Sequence, residues 1–561
     1  MSQNKYLWME NYPKRVRPNL SYPDIPLYAL VEQSTEEYPT QTAVTFMGKK
    51  LTYSQLWQQI CQFAAALYSL GVRKGDRVAI MLPNTPQAVI AYYATLKLGA
   101  IVVMINPLYT ERELEHQLKD AGAKVLVYLD LVNPRVKKVR RNLPVKSYIV
   151  TSIKDYLPFP LNLLYPIKAK KEGHNLHVPA EEAVKFTKLL SQNLPDPPEV
   201  EIDPAEDVAL LQYTGGTTGV PKGTMLTHLN LIANTMQTRE WYTQCVEGKE
   251  RVMGVLPFFH VYGMTTALNF SNAVGGELIL IPRFDVKTLL TELQKHKVTF
   301  FPGAPTIYVA VNNYPEVSKY DLTSIRACIS GSAPLPVEVQ QEFMRLSGNA
   351  ALVEGYGLSE ASPVTHCNPL DEGNNIGSIG FPFPDTVAKV VDPADPSKEM
   401  PVGEVGELIV RGPQVMKGYW NKPEETAQMI KDGWLHTGDM ARMDEQGYFY
   451  IADRIKDMII SGGFNIYPRE VEEVLYEHPK VQEAAVVGIP DSYRGETVKA
   501  YLVLREGEEA TEKEIRKYCE ERLAKYKIPR TLEFRSELPK STIGKVLKRV
   551  LIDEEKEKLA G

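Results

Sequence analysis

Cysteine is scarce: 561 residues hold only Cys61, Cys245, Cys328, Cys367 and Cys519, and no two form a CxxC pair. The nine histidines show no HExxH pattern, so a zinc site and a disulfide framework are both excluded, and a reducing compartment fits. Long apolar runs are missing too. The longest clean one covers 98–105, far short of the roughly 18 residues a membrane span needs, and the polar start MSQNKYLWMENYPKRVRP has no signal-peptide core. No charge of one sign dominates either. The net charge of −5 gives no electrostatic reason for a nucleic-acid partner. With 44% hydrophobic and 24% charged residues, the composition is that of a globular chain, and a cytoplasmic one is expected.

What is present is rhythm. Leu56, Ile60, Phe63, Ala64, Leu67 and Leu70 recur at helical spacing, with Gly71 as a stop. A strand over 77–82, a helix over 87–98, a strand over 100–105, a helix over 111–120 and a strand over 124–129 follow. Alternation of this kind predicts an α/β fold of parallel sheets covered by helices. Between about 385 and 452 the helical signal fades, and short strands separated by Gly, Pro, Asn and Asp predict a small barrel-like β unit. After the charged run 453–457 comes a region of one-domain size. It carries a helix near 470–477, strands near 483–488 and 498–504, and a helix over 512–525, which predicts a small α+β C-terminal domain. The expected division is 1–453, a connector over 454–457, and 458–561. The segment 156–171 stands apart: its prolines rule out a regular helix throughout, and its apolar run ends in Lys168, Lys170 and Lys171. Such a segment suits either an anionic bilayer or a loop packed on its own domain.

The strongest local signal is Tyr213-Thr-Gly-Gly-Thr-Thr-Gly-Val-Pro-Lys-Gly223, directly after an apolar strand over 208–212. Gly215, Gly216 and Gly219 let the backbone approach a ligand and turn its N–H groups inward. Thr214, Thr217 and Thr218 add hydroxyls, and Lys222 adds positive charge. This concavity suits a polyphosphate, yet it is not a GxxxxGK[ST] loop, because Pro221 precedes the lysine.

The stretch resembles the phosphate loop of the adenylate-forming superfamily of acyl-CoA synthetases, adenylation domains and luciferases. Further motifs follow in the family's order, so the resemblance covers nearly the whole chain. Gly331-Ser-Ala-Pro-Leu335 is similar to the adenine-side loop, and Glu354-Gly-Tyr-Gly-Leu-Ser-Glu360 to the aromatic and magnesium motif. Trp434-Leu-His-Thr-Gly-Asp439 resembles the ribose motif, Asp453-Arg-Ile-Lys456 the hinge, and Pro539-Lys-Ser-Thr-Ile-Gly-Lys545 the C-terminal lysine motif.

The resemblance implies an enzyme that uses ATP, Mg²⁺ and coenzyme A. Its nucleotide contacts would come from the phosphate loop, from Gly331, Ser332, Ala333 and Pro334, from Glu354, Gly355, Tyr356, Gly357, Leu358 and Ser359, and from Asp439 and Arg454. Tyr356 offers a flat face for adenine, and Asp439 can accept from two ribose hydroxyls. Arg454 adds a fixed positive charge near ribose or phosphate. Glu360, with Thr214, would hold Mg²⁺, a cation that prefers hard oxygen ligands. Lys545 would span the attacking carboxylate and the α-phosphate; a cation there offsets the repulsion of two anions and stabilises charge developing on phosphorus oxygens. Lys540 is the neighbour most easily confused with it. Lys456 is the implied pivot about which the small domain turns between the two half-reactions. Ser461, Gly462 and Gly463 resemble the loop beside the pantetheine tunnel. The nine Lys and Arg in 521–549, against three Glu, would suit the phosphates of coenzyme A or form an ordinary solvated face.

The acid is read from fewer residues. Amino-acid relatives place an Asp where this chain has His260, so a buried ammonium would lack its counter-ion; His260 could equally be a satisfied core histidine. Tyr262 follows in the same stretch. Acetyl-specific relatives carry Trp where Gly357 stands here, which predicts an open acyl pocket. Trp241 and Tyr242 are candidate gates of an acyl tunnel. The run 432–457 resembles fatty acyl-CoA synthetases, bacterial long-chain enzymes in particular. The expected reaction is ligation of a long-chain fatty acid to coenzyme A through an acyl-adenylate, with diphosphate released. Medium-chain or aryl acid ligation, acyl-AMP ligation and a luciferase-like oxidation are the alternatives within the fold. A silent acyl- or nucleotide-binding protein is the non-enzymatic alternative, disfavoured by Lys545 and Glu360. The oligomeric state is left open, a homodimer included, as is a peripheral place at the inner face of a membrane through 156–171.

Overall fold

The computed structural model describes residues 6–192, 194–214, 221–454, 457–461, 464–491, 495–541 and 544–560. The predicted alternation forms one eight-stranded sheet. Its parallel centre runs Val208–Thr214, Ile101–Met104, Arg77–Met81, Val125–Leu129 and Ser147–Thr151, with Lys222–Thr227 antiparallel beside Val208–Thr214. The helices start where side chains can cap them. Thr52 and Gln55 form a capping box for Tyr53–Ser69, and Thr110 and Glu113 form one for Glu111–Ala121. The latter ends at Gly122, whose φ of 60° is a left-handed turn that glycine adopts without strain. Pro86–Lys97 is buried on all sides but its last residue, as its apolar surround requires.

A second sheet lies alongside. Arg251–Gly254, Glu277–Leu280 and Thr42–Phe46 run parallel, and Ala327–Ser330 pairs parallel with Ala351–Gly357. Phe300 bridges the two groups by pairing with Val252 and Ala327. The predicted β unit is a five-stranded antiparallel sheet built on Val387–Val391, Gly406–Arg411, Trp434–Met443 and Phe449–Arg454. The C-terminal α+β domain packs Pro468–Tyr476 and Glu512–Glu520 on a sheet centred on Val481–Asp491 and Gly495–Leu504. The fold class read from the sequence is therefore the observed one.

Three local expectations need correction. The helix expected to reach 525 ends at Glu520; the chain then turns, and Lys527 reaches Glu470 at 2.5 Å. In 156–171 the prolines keep only the first residues out of a helix. Leu161–Lys171 is helical with Pro166 inside it, at the loss of the one bond that would run to the Asn162 carbonyl. Trp241 and Tyr242 are core residues rather than gates. The Trp241 indole N–H donates to the Asn368 carbonyl at 2.9 Å, and Tyr242 stacks on Phe300 with ring centroids 5.1 Å apart.

Two fully buried histidines make the fold sensitive to acid. Burial pushes His228 down to about 4 and His366 down to about 3, and Nδ1 of His228 accepts the Leu27 N–H at 3.0 Å. Both are neutral when folded and gain a proton more readily when unfolded. Their contribution is therefore intact above the ordinary value of 6.5 and is lost as the pH falls towards 4, by up to about 1.4 kcal/mol per pH unit each. We expect the thermal midpoint to fall between pH 6.5 and 5, and His366→Leu to reduce that slope; calorimetry across the range checks both.

Candidate active site

The predicted motifs converge at the carboxyl ends of the parallel strands, where α/β sheets leave their ligand crevice. Thr214 ends Val208–Thr214 and pairs in register with Lys222, so the phosphate-loop sequence joins two antiparallel strands. Gly215, Gly216, Thr217, Thr218, Gly219, Lys456, Gly462 and Gly463 lie outside the described residues, as do the side chains of Thr214 and Arg454. Beside the Thr214–Lys222 pair, the Tyr213 hydroxyl donates to Asp120 at 2.5 Å, and its ring packs tightly on Gly223.

Lys222 and Glu360 are brought together by a residue the motifs did not flag. Tyr419 donates its hydroxyl to Glu360 Oε1 at 2.6 Å, while its ring centroid lies 5.1 Å from Lys222 Nζ. Tyr419 arrives on Gly418–Tyr419, a two-residue strand paired with Lys222–Thr227. Two residues are too short a strand for periodicity to detect.

Asp439 and Tyr356, 83 residues apart, meet directly: the Tyr356 hydroxyl donates to Asp439 Oδ2 at 2.5 Å. Asp439 stands opposite Arg454 in the ladder between Trp434–Met443 and Phe449–Arg454. A register shift against Gly406–Arg411 precedes it, where Glu407 accepts from the Gly438 N–H at 3.2 Å and holds His436 Nδ1 at 2.8 Å. Glu407 thus shapes the ribose motif from outside it, and sequence reading missed it.

Gly331, Ser332, Ala333 and Pro334 follow the strand Ala327–Ser330. Ser332 has a φ of 73°, and the Gly331 N–H donates to the Gly303 carbonyl at 3.2 Å. This loop is fixed from beneath by Glu354. One carboxylate oxygen accepts the Leu335 N–H at 3.1 Å, and the other lies 3.4 Å from the Arg469 guanidinium. Burial raises the Glu354 carboxyl, and Arg469 opposes that shift. The side chain of Glu354 therefore serves the loop and the small domain, and what it offers the crevice is main chain. Gly355 packs closely on Ile329, and Leu358 and Ser359 lead into the short turn Ser359–Ala361 that carries Glu360.

Gly357 and Tyr262 behave differently from their reading as acyl-pocket residues, while His260 keeps to its own. A Cβ on Gly357 would run into the Pro363 carbonyl, so main chain, not open pocket, fills that direction. Tyr262 donates to the Ile329 carbonyl at 2.7 Å and lays its ring against Gly331, so it braces the adenine-side loop. His260 is neutral near pH 7, burial pushing it down to about 4, so it offers a buried ammonium no charge.

Lys540 and Lys545 are distinguished by their surroundings. Lys540 is paired with Glu483. The 539–547 turn closes on itself, with the Ser541 N–H donating to the Lys545 carbonyl at 2.8 Å and the Leu547 N–H to the Pro539 carbonyl at 2.8 Å. Gly544, with a φ of 79°, lets this turn press against Thr306, since a Cβ there would collide with the Thr306 hydroxyl. Thr306 begins a helix just past Gly303, so the Lys545 turn lies next to the adenine-side loop. Behind it, half-buried Lys548 pairs with Glu472 at 2.8 Å. Ser461 ends Ile459–Ser461, across from Gly495 in the small domain. The basic surplus of 521–549 is largely neutralised by carboxylates distant in sequence: Glu470 holds Lys527, Glu483 holds Lys540, Glu472 holds Lys548 and Glu554 holds Arg535. A local charge count could not see this.

The sequence pattern of the AMP-binding enzyme family matches residues 31–420, and that of the AMP-binding enzyme C-terminal domain matches residues 470–545. The chain belongs to the AMP-binding enzyme family. Among curated relatives, a long-chain-fatty-acid–CoA ligase of Bacillus subtilis (strain 168) is 51% identical over 562 residues, covering 99% of each chain. Among solved structures, the anthranilate CoA ligase AuaEII in complex with anthranoyl-AMP superposes with a TM-score of 0.86 at 29% identity, covering 97% of this chain and 99% of that one. ATP-bound MatB from Rhodopseudomonas palustris superposes at 0.83 with 30% identity, covering 96% and 100%. This AMP-binding enzyme is an adenylate-forming acid–thiol ligase of the CoA-ligase type, using ATP and passing through an acyl-adenylate. Among its described residues no helix is long and apolar enough to cross a membrane.

The Glu354–Arg469 pair joins the two domains, and Arg469 also donates its backbone N–H to Asp453 at 2.9 Å. Removing one member of a buried pair strands the other, at about 3 kcal/mol. Arg469→Met is expected to lower stability by that order, and Glu354→Gln/Arg469→Met by clearly less than the sum of the two single changes; urea unfolding of the four proteins checks the coupling.

Proposed function

We propose that the acid is a long-chain fatty acid and the thiol that of coenzyme A. The observation that carries this is the 51% identity, end to end, with a protein named as a long-chain-fatty-acid–CoA ligase. The neutral His260 agrees, since an amino-acid substrate would bury its ammonium without a counter-charge. Aryl acids are the second reading, favoured by the close superposition on an anthranilate CoA ligase.

In the proposed reaction the fatty carboxylate attacks the α-phosphorus, diphosphate leaves, and the coenzyme A sulfur then displaces AMP from the acyl carbon. The phosphate loop with Lys222 binds the triphosphate. Tyr356 stacks on adenine, and Asp439 accepts from the ribose hydroxyls beside Arg454. Mg²⁺ would be held by Glu360 and the Thr214 hydroxyl with phosphate oxygens, a single-carboxylate donor set that suits this ion, and would neutralise phosphate charge. Tyr419 orients the Glu360 carboxylate for that purpose. Lys545 stands between carboxylate and α-phosphate, where its ammonium offsets their repulsion. The chain divides at 454–457, with Lys456 as pivot, so that 458–561 turns to bring Ser461, Gly462 and Gly463 to the pantetheine arm. Such acids partition into bilayers, so a peripheral place at the inner, cytoplasmic face of a membrane suits this substrate.

Two measurements test the reading. Thioester formation should be faster with palmitate than with octanoate or benzoate, and a benzoate preference would remove the fatty-acid assignment. Lys545→Ala should lower ATP–diphosphate exchange by about a thousandfold while still converting supplied palmitoyl-AMP to thioester. Loss of both half-reactions would show that Lys545 is not specific to adenylation.

A further inference from the structure

A helix on a protein surface normally turns polar side chains outward. Leu161–Lys171 does the reverse along its first two turns. Ala169 is buried and Tyr165 packs on the core, while Leu163 is 63% exposed and Ile167 57% exposed, with Leu164 beside them. Phe159, just before the helix, is 78% exposed. More than half of each of Phe159, Leu163, Leu164 and Ile167 is left in solvent.

A second segment, remote in sequence, extends the patch. The tip between Thr42–Phe46 and Lys49–Thr52 lies against the same region, because a Cβ on Gly48 would stand 3.7 Å from Pro158. Exposed Met47 therefore enlarges the apolar face, and exposed Lys49 and Lys50 flank it. Lys168, Lys170 and Lys171 close the other side. Little acid answers them. Glu172 reaches Lys168 only at 3.9 Å, Glu277 reaches Lys50 at 3.4 Å, and Asp155 is turned to the Ser152 N–H and the Thr151 hydroxyl. A cationic rim on a chain of net charge −5 sets this face apart from the rest of the molecule.

We propose that this face docks on an anionic phospholipid bilayer, its aliphatic and aromatic side chains entering the acyl boundary while the lysines meet lipid phosphates. Apolar exposure alone fits any partner; the lysine rim selects a negatively charged lipid surface over a neutral one. The fatty-acid reading supplies the purpose of such docking, but docking itself is measured without substrate, so the two fail separately.

The test is co-sedimentation of the full chain with vesicles of phosphatidylglycerol and phosphatidylcholine, against vesicles of phosphatidylcholine alone. We expect partitioning to be about tenfold or more stronger with phosphatidylglycerol, and to weaken with salt. Leu163→Gln/Leu164→Gln/Ile167→Gln should lose most binding, and Lys168→Ala/Lys170→Ala/Lys171→Ala should lose the preference for anionic lipid. Thioester formation from dispersed substrate should be unchanged in both variants, which shows that they fold. Equal binding by both variants and the parent chain would overturn the proposal. So would a patch variant that converts a dimer to monomers in sedimentation velocity with vesicle binding intact, since a second copy would then cover the face.

Discussion

One buried carboxylate holds the crevice together. Glu354 lies midway along the strand Ala351–Gly357, and its two oxygens face in different directions: one to the main chain of the adenine-side loop, the other to Arg469 of the small domain. A buried ion pair of this kind is poor at raising stability, because desolvation offsets most of its attraction. Its value is positional. The loop after Ser330 and the first helix of the small domain, Pro468–Tyr476, are referred to a single point. The Lys545 turn, pressed on Thr306, inherits that reference.

The same economy of contacts recurs around Lys222 and Glu360. Lys222 comes from a strand and Glu360 from the turn Ser359–Ala361; Tyr419 links them, bonded to one and facing the other with its ring. Glu407 similarly fixes His436 and Gly438, which leaves Asp439 to meet Tyr356. Adenylation joins two anions, so a site for it needs donors and cations fixed before the reactants arrive rather than recruited by them. These supporting groups supply that rigidity, and they are acidic or phenolic residues that no phosphate-binding motif includes.

The surface around 156–171 obeys a different constraint. Core-facing residues of its helix satisfy the domain, yet the outward ones remain apolar, and a hairpin tip from another part of the chain adds to them. Composition hinted at this face through its lysines. Only the fold brought Met47, Lys49 and Lys50 beside it.

Much was legible in the sequence because it is local. Alternating periods gave the parallel sheet, since an apolar stripe at a period of 3.6 or 2 has one way to be buried. The small C-terminal domain was legible for the same reason. What the sequence could not decide was any relation between distant segments. Gly357 looked like an opening until the Pro363 carbonyl was found against it, and Tyr262 looked like a pocket wall until it was found bracing Gly331. The basic run of the last domain could be a ligand face or a solvated one, and only the fold shows Glu470, Glu472, Glu483 and Glu554 set against its cations. Local chemistry fixes which side chains are available; which of them face a ligand depends on what the folded chain has already placed opposite them, because a cation matched by a carboxylate presents little net charge to a polyanionic substrate.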